Sequence, residues 1–270
     1  MKSFIRFLVF SNIWVAFCVL ALVMSSELLL ETANHHISQF VFFATVFTYN
    51  FQRVVRIEKG ANHVRKQWLV ENKRFIYPLI LLGGIMSGYY FSQFQTLTQI
   101  AIVFSGVLSL LYPFELRKIP FTKIFVISFV WVISTMFLLV LEANILITQN
   151  VVLHIVSRFL FVFAIIIPFD IRDLKYDAKN LITIPIFFGV QKSKIIGVLA
   201  LLICAIIVIF QSFENTVIYS NLLALIFLYF VASIFIVKSD ENNREIYFSF
   251  WIESLSILAY LCLIISGLIF

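Results

Sequence analysis

Nine apolar runs divide this chain, at about residues 4–26, 38–56, 75–93, 97–115, 121–142, 151–170, 193–213, 216–237 and 247–269. Each is long enough to cross roughly 30 Å of hydrocarbon as a helix. Backbone in lipid must satisfy its own hydrogen bonds, so runs of this length form helices. Composition closes the alternative: 62% of the 270 residues are hydrophobic, 13% are charged and the mean hydropathy is +1.03. A soluble domain with that balance has too little polar surface to face water. With 32 Phe residues, aromatic side chains must face lipid as well as core. The expectation is an all-α polytopic membrane bundle of nine transmembrane helices, one domain over 1–270.

The cations give the bundle a direction. With the N-terminus in the cytoplasm, one set of connections comprises 1–6, 53–74, 114–123, 171–194 and 238–246, and of the 20 Lys and Arg only Arg158 lies outside it. The opposite loops (27–37, 94–96, 143–150 and 214–215) contain none. Such a bias is the positive-inside pattern, and it places the C-terminus on the far side. It accounts for the net charge of +6 as a topology signal with anionic membrane lipids as partners, so no nucleic acid is required. Lys2 and Arg6 precede an apolar run too long for a signal peptide and lacking a small-residue cleavage site, so that run reads as the first span. Cys18, Cys204 and Cys262 are far apart inside apolar runs and read as packing residues. A bacterial inner membrane is the expected location.

The most polar interruption is PFDIRDLKYDAKNLITIPIFFG, residues 168–189. Asp170, Asp173 and Asp177 stand at i, i+3 and i+7, offsets that fall within about 60° on a helix. Carboxylates stacked where a span ends repel one another and are costly to desolvate, and a divalent cation between them removes both penalties. Hard oxygen ligands with room for water and phosphate are the set Mg²⁺ takes. The competing reading is a solvated helix end balanced by Arg172, Lys175 and Lys179.

Other polar residues cluster near the same side. In TYNFQRVVRIEKG, Asn50 and Arg53 share a helical face, with Arg56 and Glu58 beyond them. Arg53 and Arg56 are either phosphate-binding forks or snorkelling cations. LLYPFELRKIP is a turn between spans, in which Tyr112, Arg117, Lys118 and the following Lys123 offer anion contacts or simply obey the topology rule. Arg158, inside a span, needs a partner. Glu253, in FWIESLSIL, is the acid for an ion pair with it; alternatively, either residue lines a polar cavity. His154, one turn away, is expected to pack inward.

Together these segments resemble the UbiA superfamily of intramembrane prenyltransferases. DIRDLKYDAKNLITIPIFFG is similar to its second aspartate motif, which carries over onto Asp170, Asp173, Asp177, Lys179 and Thr183. LLYPFELRKIPFTK is similar to its Tyr-Pro and Leu-Arg segment, mapping onto Tyr112, Arg117 and Lys118. The resemblance implies helices around a central cavity, Mg²⁺ held by aspartates, and transfer of a prenyl group from an isoprenyl diphosphate to a lipophilic or aromatic acceptor. Metals and cations would stabilise the departing diphosphate, while Phe and Tyr faces flank the carbocation. The first aspartate motif departs from the family: Asn50 aligns, but the acid positions are Phe51, Val54 and Glu58. One acid remains there as a metal ligand, Glu58. Three outcomes stay open. Arg53 substitutes for a metal, the protein is a terpene-cyclase-like relative, or it is a non-catalytic isoprenoid-binding membrane protein.

Overall fold

The computed structural model describes residues 2–58, 65–111, 119–174 and 181–269, and every regular element among them is helical. In chain order these are α1 (Lys2–Phe10), α2 (Ile13–Leu29), α3 (His35–Glu58), α4 (Lys66–Glu71), α5 (Lys73–Phe91) and α6 (Thr96–Leu111). They continue with α7 (Thr122–Glu142), α8 (Gln149–Arg172), α9 (Ile184–Phe188), α10 (Val190–Phe213), α11 (Tyr219–Val237) and α12 (Tyr247–Leu268). Each expected run lies on one of these helices, the first on the α1–α2 pair.

Length and apolarity alone qualify five helices as spans, α7, α8, α10, α11 and α12, and the bent pair Phe4–Phe10 with Ile13–Leu29 makes a sixth. The count of nine is thus not reached on those criteria. The other three, α3, α5 and α6, carry polar residues on the faces that line a cavity, among them Thr45, Gln52, Arg53, Ser87 and Ser105. Those side chains lower the hydropathy of α3 and α5 without facing lipid, while α6, apolar but only 16 residues long, misses on length.

The helices form a ring. α2 packs on α3 and α12, α12 on α11, α11 on α10, α10 on α8, α8 on α7, α7 on α6, and α6 returns to α3, with α5 along α3. One apolar core, around Val162, Ile167, Leu201, Leu228 and Phe248, joins α8, α10, α11 and α12. A second, around Val19, Val23, Ile37 and Leu139, joins α2, α3 and α7. Outward faces are apolar as well: Leu81, Ile206 and Phe230 are all more than 60% exposed, as a lipid-facing surface requires.

Two local devices shape the ring. Between α1 and α2 the chain turns by 72° at Asn12, whose φ of 58° is left-handed. Asn tolerates that region better than most residues. Asn12 Nδ2 donates to Asn50 Oδ1 at 2.9 Å, while Asn50 Nδ2 donates to the carbonyls of Ser11 and Val46, each at 2.9 Å. The break is therefore stitched to α3 by one buried carboxamide. Between α3 and α5 the backbones nearly touch at Gly83, where an added Cβ would lie 2.9 Å from the Phe43 carbonyl oxygen. Helices α7 and α12 each contain a π turn, at Ile133–Phe137 and Tyr247–Ile252, a feature common where a helix passes a functional site.

Candidate functional site

A cavity of about 820 Å³ lies between the two cores. Its body is apolar, with Phe40, Val41, Phe47, Val130, Trp131 and Ile165 on the wall. Trp131 Nε1 donates to Tyr49 Oη at 3.1 Å, which satisfies a polar atom inside an otherwise greasy chamber. At the basic end of the bundle the lining changes to Arg53, Arg56, Arg65, Lys123, Arg172, Asp173, Glu241, Glu245 and Glu253. The arrangement offers an apolar chamber capped by charge.

Asp170 and Asp173 stand at the end of α8. Helix α8 stops at Arg172 and Asp173 is its C-cap. Asp170 is 1% exposed and its Oδ1 lies 2.9 Å from Lys123 Nζ. Asp173 Oδ2 lies 3.0 Å from the same ammonium, and Asp173 Oδ1 accepts from Arg172 Nε at 2.8 Å. The two carboxylates thus converge on one point, where α7 supplies a cation. Burial alone would raise the Asp173 pKa, but Lys123 and Arg172 outweigh it and hold the carboxyl well below the usual carboxylate range. Thr183 is buried, with no hydrogen bond to its hydroxyl. Asp177, Lys179, Tyr112, Arg117 and Lys118 lie outside the described residues.

The residues of α3 separate. Arg53 lines the cavity and its Nη1 is buried without a hydrogen-bond partner among the described residues. Asn50 is fully buried and its amide is engaged by the α1–α2 break. Glu58 is exposed at the end of α3, away from the cavity wall. The sequence places Arg53 and Glu58 five residues apart, and the helix turns them to different surroundings.

A charged network stood outside the sequence reading. Arg65, 4% exposed, donates through Nη2 to Glu245 Oε1 at 2.7 Å and to Ser249 Oγ at 2.6 Å, and through Nη1 to the Val9 carbonyl at 2.8 Å. Arg172 Nη1 approaches the same Glu245 at 3.4 Å and stacks over Phe169, 5.1 Å from the ring centre. Burial would raise the Glu245 pKa, and Arg172 and Arg65 overrule it, so it is lowered. Both Arg65 and Glu245 fall in loops whose charges topology already explains, and no spacing links them across 180 residues.

Arg158 and Glu253 do not pair. Arg158 Nη2 donates instead to Ser25 Oγ at 2.7 Å and Ser26 Oγ at 2.9 Å, while Glu253 lines the large cavity. The reason is depth. At 1.5 Å per residue, Arg158 stands about 21 Å from the basic end of α8 and Glu253 about 9 Å from that of α12. His154 packs inward as expected, 3% exposed.

Metal-binding capacity follows from the donors. Among the described residues no three His, Cys, Asp or Glu side chains gather into a metal-sized cluster. Mg²⁺, however, is commonly held by one or two carboxylates with waters and phosphate oxygens completing its shell. Asp170 and Asp173, already converging on one cation, fit one such ion. The α3 side does not fit a second: Phe51 and Val54 carry no oxygen donor, Glu58 faces away, and Arg53 brings a positive charge instead.

Comparison with known proteins agrees with this architecture. The profile of the UbiA prenyltransferase family matches residues 71–255. No curated protein matches. Among solved structures, a UbiA homolog from Aeropyrum pernix K1 superposes with a TM-score of 0.71 at 12% identity, covering 94% of this chain and 97% of that one. A UbiA homolog from Archaeoglobus fulgidus, bound to GPP and Mg²⁺, gives 0.68 at 12% identity, covering 97% and 99%. A digeranylgeranylglyceryl phosphate synthase gives 0.59 at 15% identity over the full length of both chains. With that profile spanning more than two thirds of its 270 residues, the chain belongs to the UbiA prenyltransferase family.

Proposed function

We propose that this protein transfers a prenyl group from an isoprenyl diphosphate to a lipophilic or aromatic acceptor that reaches the site from the membrane. The observation that carries the reading is the single chamber with two chemistries. An apolar wall suits an isoprenoid tail, and Asp173 with Arg53, Lys123 and Arg172 at its end, backed by the buried Asp170 that Lys123 also reaches, suits a diphosphate. The Archaeoglobus homolog, which shares the fold, is bound to GPP and Mg²⁺.

In this reading Asp170 and Asp173 hold one Mg²⁺, with Asp177 as a third carboxylate, and the ion supplies Lewis-acid neutralisation of the diphosphate. Arg53 points a buried, unpaired donor into the cavity and takes phosphate oxygens where the family's first motif has acids. Lys123 moves from the carboxylates to the diphosphate as the charge there grows. Tyr112, Arg117, Lys118 and Lys179 complete the anion contacts. Asn50 and the Arg65–Glu245 network position α3 and α12 around the head. The allylic C–O bond breaks with its electron pair leaving on the diphosphate, stabilised by these fixed cations. The acceptor's nucleophilic atom then bonds the allylic carbon and loses its proton. The chamber walls, including the Trp131 and Tyr49 rings, shield the cation from water. The basic end is assigned to the cytoplasm of a bacterial inner membrane, with the N-terminus beside it and the C-terminus opposite.

Incubating purified protein in bilayers with labelled prenyl diphosphates, a panel of membrane acceptors and Mg²⁺ is expected to give a labelled acceptor and free diphosphate. A labelled cyclic hydrocarbon without acceptor would select a terpene-cyclase reaction. Tight diphosphate binding with no turnover on any acceptor would select non-catalytic isoprenoid binding, the reading that the missing acids at positions 51 and 54 favour.

A further inference from the structure

The bundle contains a second, smaller cavity, remote from the charged head. It measures about 30 Å³ and lies among α2, α7, α8, α10, α11 and α12; its polar lining is Ser25, His154, Ser157, Arg158, Tyr229 and Gln211, whose Nε2 is taken by Asn150, and the rest of the wall is apolar. Its polar groups are mismatched. Arg158 is 7% exposed, and its Nη2 is engaged by two serines while Nη1 has no partner among the described residues. His154 Nε2 and Ser157 Oγ, on the same face of α8 as Arg158, are buried and likewise without partners.

We propose that this cavity binds one small monovalent anion of the size and charge of chloride. The argument is a charge balance. Among the described residues no Asp or Glu lines the cavity, and Glu253 stands at another depth beside the large chamber. Ser25 and Ser26 give their own hydroxyl hydrogens to the Leu22 carbonyl at 2.8 and 3.0 Å. They therefore present lone pairs to Arg158 and cannot neutralise it. A guanidinium inside a bundle is expected to be paired, because burying an uncompensated charge is costly. Water would satisfy hydrogen bonds and leave the charge. An anion between Nη1, His154 Nε2–H and the Ser157 hydroxyl satisfies both.

Size restricts the ligand further. One water needs about 10–15 Å³ measured in this way, so 30 Å³ holds a halide and excludes a diphosphate or a lipid headgroup. The site is therefore structural, fastening α8 to α2 and α11. It depends neither on the prenyl-transfer reading nor on the large chamber.

The test is thermal unfolding of the full-length protein in detergent, titrating chloride against gluconate at constant ionic strength and pH. The expected result is a rise in Tm that sets in near half-saturation and grows by about 2–3 °C for each tenfold increase in chloride beyond it, which Arg158→Gln abolishes. Should that variant fail to fold, crystals of the unsubstituted protein soaked in bromide decide the matter by anomalous scattering, with a peak expected in contact with Arg158 Nη1. Equal Tm in both salts, chloride dependence that survives in Arg158→Gln, or a bromide-free cavity holding water would each overturn the assignment.

Discussion

Lys123 Nζ lies 3.0 Å from Asp173 Oδ2, a contact that closes α7 onto the end of α8 at the mouth of the large cavity. The same ammonium reaches Asp170 at 2.9 Å, so one side chain organises both carboxylates. Removing it leaves the buried Asp170 carboxylate beside Asp173, which is part-exposed and keeps Arg172. Lys123→Met is expected to cost about 3–5 kcal/mol, the usual penalty for breaking a buried pair from one side. Asp173→Asn in the same background should recover part of that loss. Chemical denaturation of the four proteins of the double-mutant cycle measures the coupling.

The depressed pKa of Asp173 makes a second prediction, for pH. A carboxyl whose folded pKa lies below its unfolded value stabilises the fold at pH above the unfolded value, roughly 4. That contribution is lost as pH falls from there toward the folded value. Unfolding free energy should decline by on the order of 1 kcal/mol between about pH 5 and pH 3. In Asp173→Asn the same interval should be flatter. An unchanged slope would show that Asp173 carries no special interaction.

Arg53 separates the metal-substitution reading from ordinary charge at a basic end. Its buried, unpartnered Nη1 should become a donor to the diphosphate, so Arg53→Gln is expected to lower kcat/KM by about 10²–10³-fold, as loss of one fixed donor does. Dependence on Mg²⁺ concentration should be first order for the unsubstituted protein, reporting one ion. A second-order dependence would mean that another metal binds and that Arg53 replaces nothing.

How much of this was legible beforehand depended on whether a feature is local or tertiary. The helices were, because runs such as 151–170 encode their own partner, lipid. Asp170 and Asp173 were, because a spacing of three puts them together on any helix. Lys123 was visible as a cation and not as their clamp, since 50 residues intervene between it and Asp173. Arg65 and Glu245 were hidden behind a topology rule that explains every loop cation without any contact. The Arg158–Glu253 pair failed because side-chain charge identifies candidates, whereas depth along two antiparallel helices decides which of them meet. Asn12 gave no warning at all: one amide in an apolar run is unremarkable until its left-handed backbone breaks the helix.

Asn50 tests whether its place in the family pattern or its hydrogen bonds describe its role. Two of its three bonds, with Asn12 and with the Ser11 carbonyl, hold the α1–α2 break, and the third returns to the Val46 carbonyl on α3. Asn50→Ala should leave buried polar partners unsatisfied, costing about 1–3 kcal/mol for each group stranded. Tm should fall sharply, while KM for the diphosphate in the surviving folded fraction stays close to that of the parent. A large rise in KM at unchanged Tm would make it a substrate contact instead.

Trp131 stands partway down the chamber, whose lining continues past it to Ser134 and Leu138. It stands eight residues beyond Lys123 on α7, about 12 Å along the helix, with its indole on the cavity wall and tied to Tyr49 Oη at 3.1 Å. A prenyl tail running from the charged head meets this ring before the apolar core of α2, α3 and α7. Trp131→Ala should therefore open the part beyond it to the tail and shift selectivity toward longer donors. Each methylene gained in an apolar pocket is worth about 1–3 kcal/mol, or 10–200-fold in kcat/KM, so competition between donors of different length gives a sensitive readout. The alternative consequence of losing the ring is a cavity left empty, which lowers stability about 3–5 kcal/mol without changing the ratio. Measuring the ratio and the Tm on the same preparation distinguishes a ruler from a packing residue, because only a ruler moves selectivity.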